Sequence, residues 1–162
     1  MTNQNIPKKI LYWYDNNKRA LPWRKKVSKK KQDYFTLVSE FMLQQTQVKT
    51  VIPYFEKFIK EFPNLKLLAK SSDHKILKNW EGLGYYSRAR NLKKTAIKLL
   101  KDYKGELPED IKTLKSLPGI GEYTSRSILA IAHNKPYIPM DGNVERILKR
   151  VFLLKTDYEI SK

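Results

Sequence analysis

The sequence of 162 residues contains no cysteine, which excludes disulfides, a thiolate nucleophile and cysteine-held metal from the chemistry of these residues. The same absence leaves the cellular compartment unread from cysteine usage. No window approaches 18 consecutive apolar residues, and Met1 to Ile10 carries no apolar run of the signal-peptide kind. Neither a membrane span nor a leader is expected, and the chain reads as cytoplasmic with no membrane partner. Acidic residues are few: 16 Asp and Glu face 33 Lys and Arg, a formal charge of +17. Such an excess favours a polyanion, although a lysine-rich composition bias inflates it. Strand-like alternation and internal repeats are missing too, which leaves helical periodicity and an all-α class in a single domain of ordinary size.

The rest is organised around Leu117-Pro118-Gly119-Ile120-Gly121-Glu122-Tyr123-Thr124-Ser125. Two glycines around one apolar residue suit a tight hairpin, since Gly119 and Gly121 tolerate positive φ. The helix opening near Tyr123 turns unpaired N–H groups and its dipole outward, a site for a nucleic-acid phosphate. Pro118-Gly119-Ile120-Gly121 alone is better read as a plain turn between packed helices, since a four-residue motif recurs by chance.

In chain order, Pro7 starts a short helix whose stripe is Ile10, Leu11 and Tyr14. Residues 17–32 then read as a basic loop around Leu21-Pro22-Trp23, with Arg24 and Lys29 to Lys31 among its cations. From Asp33 to Gln45 the residues Phe35, Leu37, Val38, Phe41, Met42 and Leu43 suit a helix buried on much of its circumference. Glu40 sits among them with no basic residue three or four places away on its own helix. Desolvation disfavours its charged form and raises its pKa toward the range of a general acid; a structural hydrogen bond to a distant partner is the other reading.

Gln44, Gln45, Thr46 and Gln47 form a polar cluster before a series, Val48 to Phe62, whose helical phase crosses Pro53; the proline is expected to kink that helix or mark its effective start. Amphipathic units follow from Ser72 or Asp73 to Trp80, and from Tyr85 to Tyr103 with Arg88 on a polar face. A short helix precedes the hairpin, and an apolar helix with Ile128 and Leu129 follows it. Beyond Pro136 and Pro139, Asp141 is placed to cap the helix containing Val144, Ile147, Leu148, Val151 and Phe152.

The blocks Leu21-Pro22-Trp23-Arg24, Ser39 to Val48, Gly82 to Leu92, the hairpin, and Asp141-Gly142-Asn143-Val144 stand here in one order. Together they resemble the adenine DNA glycosylases of the helix-hairpin-helix base-excision superfamily over nearly the whole chain. The resemblance implies excision of adenine mispaired with 8-oxoguanine or guanine, double-stranded DNA as partner, and a monomer. It puts the catalytic acid at Glu40, the carboxylate that stabilises an oxocarbenium-like sugar at Asp141, and Tyr123 beside them. It puts DNA contacts at Gln45, Leu83, Tyr85, Arg88, Gly119, Gly121, Thr124 and Asn143, and the base pocket at Trp23 and Arg24. Endonuclease III-like lyases have a lysine where Tyr123 stands and Asp-Thr-His where Asp141-Gly142-Asn143 stands, so the likeness is to the monofunctional branch.

Departures are expected to matter. The segment from Arg24 to Glu40 is longer than the family pattern, and the four cysteines of the family 4Fe-4S cluster lie beyond what this chain contains, so no cofactor is expected in it. The implied architecture is a truncated glycosylase domain: residues 1–32 as a helix and basic loop, 33–135 as a six-helix lobe with the hairpin at 117–124, and 136–162 as the start of a second lobe. Reduced or no excision is expected of this truncated form, and a non-catalytic helix-hairpin-helix DNA-binding module is the alternative.

Overall fold

The computed structural model describes residues 5–154; expectations for residues 155–162 lie outside them. Helices α1 (Ile6–Asn17), α2 (Lys29–Leu43), α3 (Val48–Glu61), α4 (Leu65–Lys70), α5 (Asp73–Trp80), α6 (Ser87–Asp102), α7 (Ile111–Lys115), α8 (Glu122–His133) and α9 (Gly142–Phe152) follow one another, with a 3-10 turn at Pro22–Arg24. No strand occurs among the described residues. The all-α expectation therefore holds.

Helix α2 is the central element, since every residue from Tyr34 to Met42 is buried. Helix α3 presents Val51, Phe55 and Phe58 inward, the four- and three-residue steps of one helix face. Edge-on aromatic contacts join these elements: Phe35 and Trp23 each meet the Phe55 ring, at 5.4 and 5.3 Å between centroids. Phe58 meets Trp80 at 5.8 Å, and the Tyr34 hydroxyl donates to the Phe62 carbonyl at 2.6 Å. Side-chain caps fix the helix starts: Asn64, Ser72, Asp110 and Asp141 accept first-turn amides of α4, α5, α7 and α9, each contributing about 1 kcal/mol.

Three local expectations change. Helix α2 starts at Lys29 rather than Asp33, because its first turn is held by polar groups that leave no hydrophobic period: Lys29 pairs with Asp33 at 2.5 Å and also donates to the Ala132 carbonyl. Of the two readings of Pro53 the effective start is excluded, since α3 begins at Val48 and runs through it. Helix α4 went unanticipated, being six residues long and started by Asn64.

Helices α1 and α9 bury none of their residues. Ile10, Leu11 and Trp13 are 59–62% exposed, and Ile147 and Val151 at least half exposed. Paired Leu11→Gln and Ile147→Gln changes are expected to cost less than about 1 kcal/mol in a urea melt of this chain, as exposed sites do, and to reduce binding of an apolar dye. A larger loss would mean that these faces are packed.

Candidate active site

Between α7 and α8 the hairpin is pinned from outside. Thr95 Oγ1 donates to the Pro118 carbonyl at 2.8 Å, and Gln44 Nε2 to the Gly119 carbonyl at 3.1 Å. Gly119 has φ +78, and an added Cβ there meets Asn91 Cβ and Phe41 Cε1 at 2.8 Å. Gly121 differs from expectation: its φ is −92, and it serves as the residue that precedes α8. Its lack of a side chain leaves the first-turn amides of α8 open to an approaching anion. Gly119→Ala is expected to destabilise the fold by about 2–5 kcal/mol, from the left-handed strain together with overpacking against Phe41. Gly121→Ala is expected to cost far less, and comparing the two urea melts checks the difference.

Beside the hairpin lies a cavity of about 630 Å³ lined by Glu40 from the end of α2, Tyr123 from the first turn of α8 and Asp141 before α9, with Gln45 and Tyr85 also on its wall. Glu40 is only 8% exposed. Burial pushes its pKa up to about 7, opposed in part by a hydrogen bond from Ser127 and by the positive charge of Arg24. The Tyr123 phenol is pushed up by burial first and then by the negative charges of Glu40 and Asp141. Asp141 is exposed and held in place: its Oδ1 accepts the Asn143 and Val144 amides at 3.0 and 2.8 Å. The capping reading of Asp141 and its place on the cavity wall are thus both realised.

Gln45 and Tyr85 are exposed and sit on this wall with φ of +56 and +46. Left-handed backbone is uncommon for residues with a side chain and costs about 1 kcal/mol or more. Tyr85 is accordingly outside the core. Gly119, Gly121 and Asn143 stand at turns or helix starts where backbone is accessible, and Asn143 Oδ1 accepts from Arg146 at 2.8 Å.

Four residues expected at the DNA or base contact are buried, two of them, Arg88 and Thr124, on the cavity wall. Arg88 is buried, and its guanidinium donates to the carbonyls of Phe41, Met42, Gln44, Leu83 and Gly84 and to Thr46 Oγ1. It ties two turns together through its two terminal nitrogens, while its Nε is buried and has no partner among the described residues. Leu83 is buried in the core rather than projecting as a wedge. Thr124 is buried, with its hydroxyl taken by Gln44. Trp23 packs its ring on Phe55, and the positive charge of Arg24 acts on Glu40.

Sequence reasoning missed Ser127 and Gln44. Ser127 lies four residues after Tyr123 on α8, hence on the same helix face, and that spacing was the available signal. The polar role of Gln44 in holding the hairpin depends on a contact 75 residues away, which no local pattern reports. Among the described residues no cluster of metal-ligating side chains occurs. With no cysteine in the sequence, a cysteine-held cluster of the family type has no ligands here.

A family model described as the HhH-GPD superfamily base excision DNA repair protein matches residues 38–162. Adenine DNA glycosylase of Buchnera aphidicola (subsp. Baizongia pistaciae) is 46% identical over 94% of this chain and 42% of its own length. The Homo sapiens protein of the same name is 42% identical over 91% of this chain and 28% of its own. This chain thus spans less than half the length of these relatives. A thermostable thymine-DNA glycosylase superposes with a TM-score of 0.80 at 26% identity, covering 90% of this chain and 66% of that one. Endonuclease III in a DNA complex shares the fold at a TM-score of 0.75 and 22% identity, covering 97% of this chain and 72% of that one. No helix among the described residues is long and apolar enough to cross a membrane. With the match extending over most of its length, the chain belongs to the HhH-GPD superfamily of base excision DNA repair proteins.

Proposed function

We propose that this chain carries the catalytic region of a monofunctional DNA glycosylase that hydrolyses the N-glycosidic bond of adenine mispaired with 8-oxoguanine or guanine. The observation that carries it is the convergence of Glu40, Tyr123 and Asp141 on one cavity beside an open helix start. A duplex held at the hairpin by backbone amides leaves the target nucleotide to rotate out of the stack and enter the cavity. The exposed side chains of Gln45 and Tyr85 stand at the wall, where they fill the vacated space.

A carboxyl with its pKa near 7 keeps about half its population protonated at neutral pH and donates its proton to the departing adenine. As the base leaves, positive charge grows on the sugar, and Asp141 opposes it, by the logic of two-carboxylate glycoside hydrolysis. Water completes the bond, so adenine and an abasic sugar are the products. The phenol of Tyr123 has no amine with which to form a Schiff base, which keeps the reaction to hydrolysis.

The test is a single-turnover assay with excess protein on duplexes holding adenine opposite 8-oxoguanine, guanine or thymine, followed by alkaline cleavage. Release from the first two and not the third is expected, with no covalent adduct mapping to residues 117–124 under borohydride. Binding without release in a chain whose fold is intact by dichroism would favour the non-catalytic module instead.

A further inference from the structure

Helices α2, α6 and α8 share the active-site cavity at one end: the C-terminal part of α2 and the N-terminal turns of α6 and α8 line it. Their opposite ends enclose a second cavity of about 800 Å³, walled by the first turns of α2, by Leu99 and Leu100 of α6, and by His133 of α8. The ten steps from Lys30 to Glu40 rise about 15 Å along α2, so the two cavities open at opposite ends of one bundle. The second one contains the Lys29 to Lys31 run that the reaction does not use.

Its floor is apolar. Tyr34, Leu37, Leu65, Leu99 and Leu107 are core residues that also line it. Its rim is charged, and most of the acidic groups there are already committed. Asp33 pairs with Lys29, and Glu109 pairs with Lys135 and faces His133. Burial lowers the His133 pKa, with Lys29 acting the same way, so the imidazole adds no positive charge at neutral pH. Exposed Lys30 and Lys66 make no ion pair among the described residues, Lys31 lies over the Phe35 ring, and Glu106 is the remaining carboxylate against them. The uncommitted charge is positive.

We propose that this cavity is a docking site for an acidic peptide segment of a partner protein, one that inserts apolar side chains between carboxylates. The volume is too large for one side chain. Small-molecule sites orient their ligand with a few fixed polar groups. The rim here offers the exposed ammoniums of Lys30 and Lys66, unpaired among the described residues, which attract an acidic segment, around an apolar floor that supplies the anchor. Because the opening lies away from the hairpin, a partner held there leaves the DNA face free.

The probe is a fluorescein-labelled hexapeptide, Asp-Glu-Leu-Phe-Glu-Asp, titrated into the full chain with and without a duplex. Saturable binding is expected in both cases, with amide shift changes confined to residues 28–37, 63–66 and 99–109 and to His133. Replacing its Leu and Phe by Ala, at equal charge, is expected to weaken binding by at least about tenfold. Combined Lys30→Glu and Lys66→Glu changes are expected to weaken it and lower its salt dependence, with duplex affinity retained. Equal binding of the Ala peptide would reduce the effect to general charge attraction and overturn the proposal. So would shifts at the hairpin, displacement of the peptide by the duplex, no saturable binding, or octanoate binding as tightly as the peptide, which would make this a small-anion site.

Discussion

Glu40→Gln is expected to lower adenine excision by at least about a hundredfold while duplex affinity is retained, the scale of a lost general acid. The amide keeps the shape of the carboxyl on the cavity wall and cannot protonate the leaving base. A second readout does not depend on turnover. The folded-state pKa of Glu40 is raised from 4.5 to about 7 by burial, so a raised carboxyl stabilises the fold fully below pH 4.5. That contribution is lost as pH rises through 7, because the unfolded chain releases the proton earlier. Holding the charged form in this site costs about 3 kcal/mol, and the glutamine does not incur that cost. At pH 8 the variant is therefore expected to be more stable than the parent by up to about 3 kcal/mol, and at pH 4 nearly equal to it. Excision by the parent should decline above pH 7 as the acid deprotonates. Equal stability of the two proteins at pH 8 would show that Glu40 is not buried as described, and undiminished excision by the variant would remove it from the acid's role.

The gain in stability on removing the acid also explains why a sequence marks this residue so clearly. A carboxylate among Phe35, Leu37, Val38 and Phe41, with no cation at helical spacing, breaks the local rule that buried charges are paired. The left-handed conformations of Gln45 and Tyr85 break another, and they too stand on the cavity wall. Helix periodicity was legible wherever one face is apolar, as at Val51, Phe55 and Phe58. It was illegible at Lys29 to Gln32, where tertiary contacts of Lys29 start the helix, and at the short α4. The exposure of side chains was the least legible feature. Arg88, Thr124, Leu83 and Trp23 lie in blocks that resemble a DNA-binding family, yet their burial is decided by partners from other segments. A basic residue in such a block reads as a phosphate ligand until its acceptors are known.

Arg88 is where that difference has its largest consequence. Its guanidinium lies 5.6 Å from the Trp80 ring centroid and 5.3 Å from that of Tyr85, and all six of its acceptors are neutral. The Phe41 and Met42 carbonyls belong to the last turn of α2, where intrahelical donors run out. The Leu83 and Gly84 carbonyls belong to the turn that leads into α6. One planar, five-donor group therefore closes the end of α2 onto the start of α6, and Gln45 and Tyr85 are the residues next to its two anchor points. Arg88→Ala is expected to destabilise the chain by at least about 3 kcal/mol, since each buried carbonyl left without a donor costs about 1–3 kcal/mol. Arg88→Lys is expected to recover only part of this, because one ammonium cannot span both turns as the fork does. Binding separates this structural role from a phosphate contact. If Arg88 neutralised a phosphate, Arg88→Lys would keep the slope of log affinity against log salt, whereas Arg88→Gln would lower it by about 0.9. As a buried tie between turns, Arg88 leaves that slope unchanged in both variants under conditions where each is folded, and affinity falls only as far as the wall formed by Gln45 and Tyr85 loosens. A slope reduced by a full phosphate in Arg88→Gln, with an unaltered urea midpoint, would return Arg88 to the DNA surface.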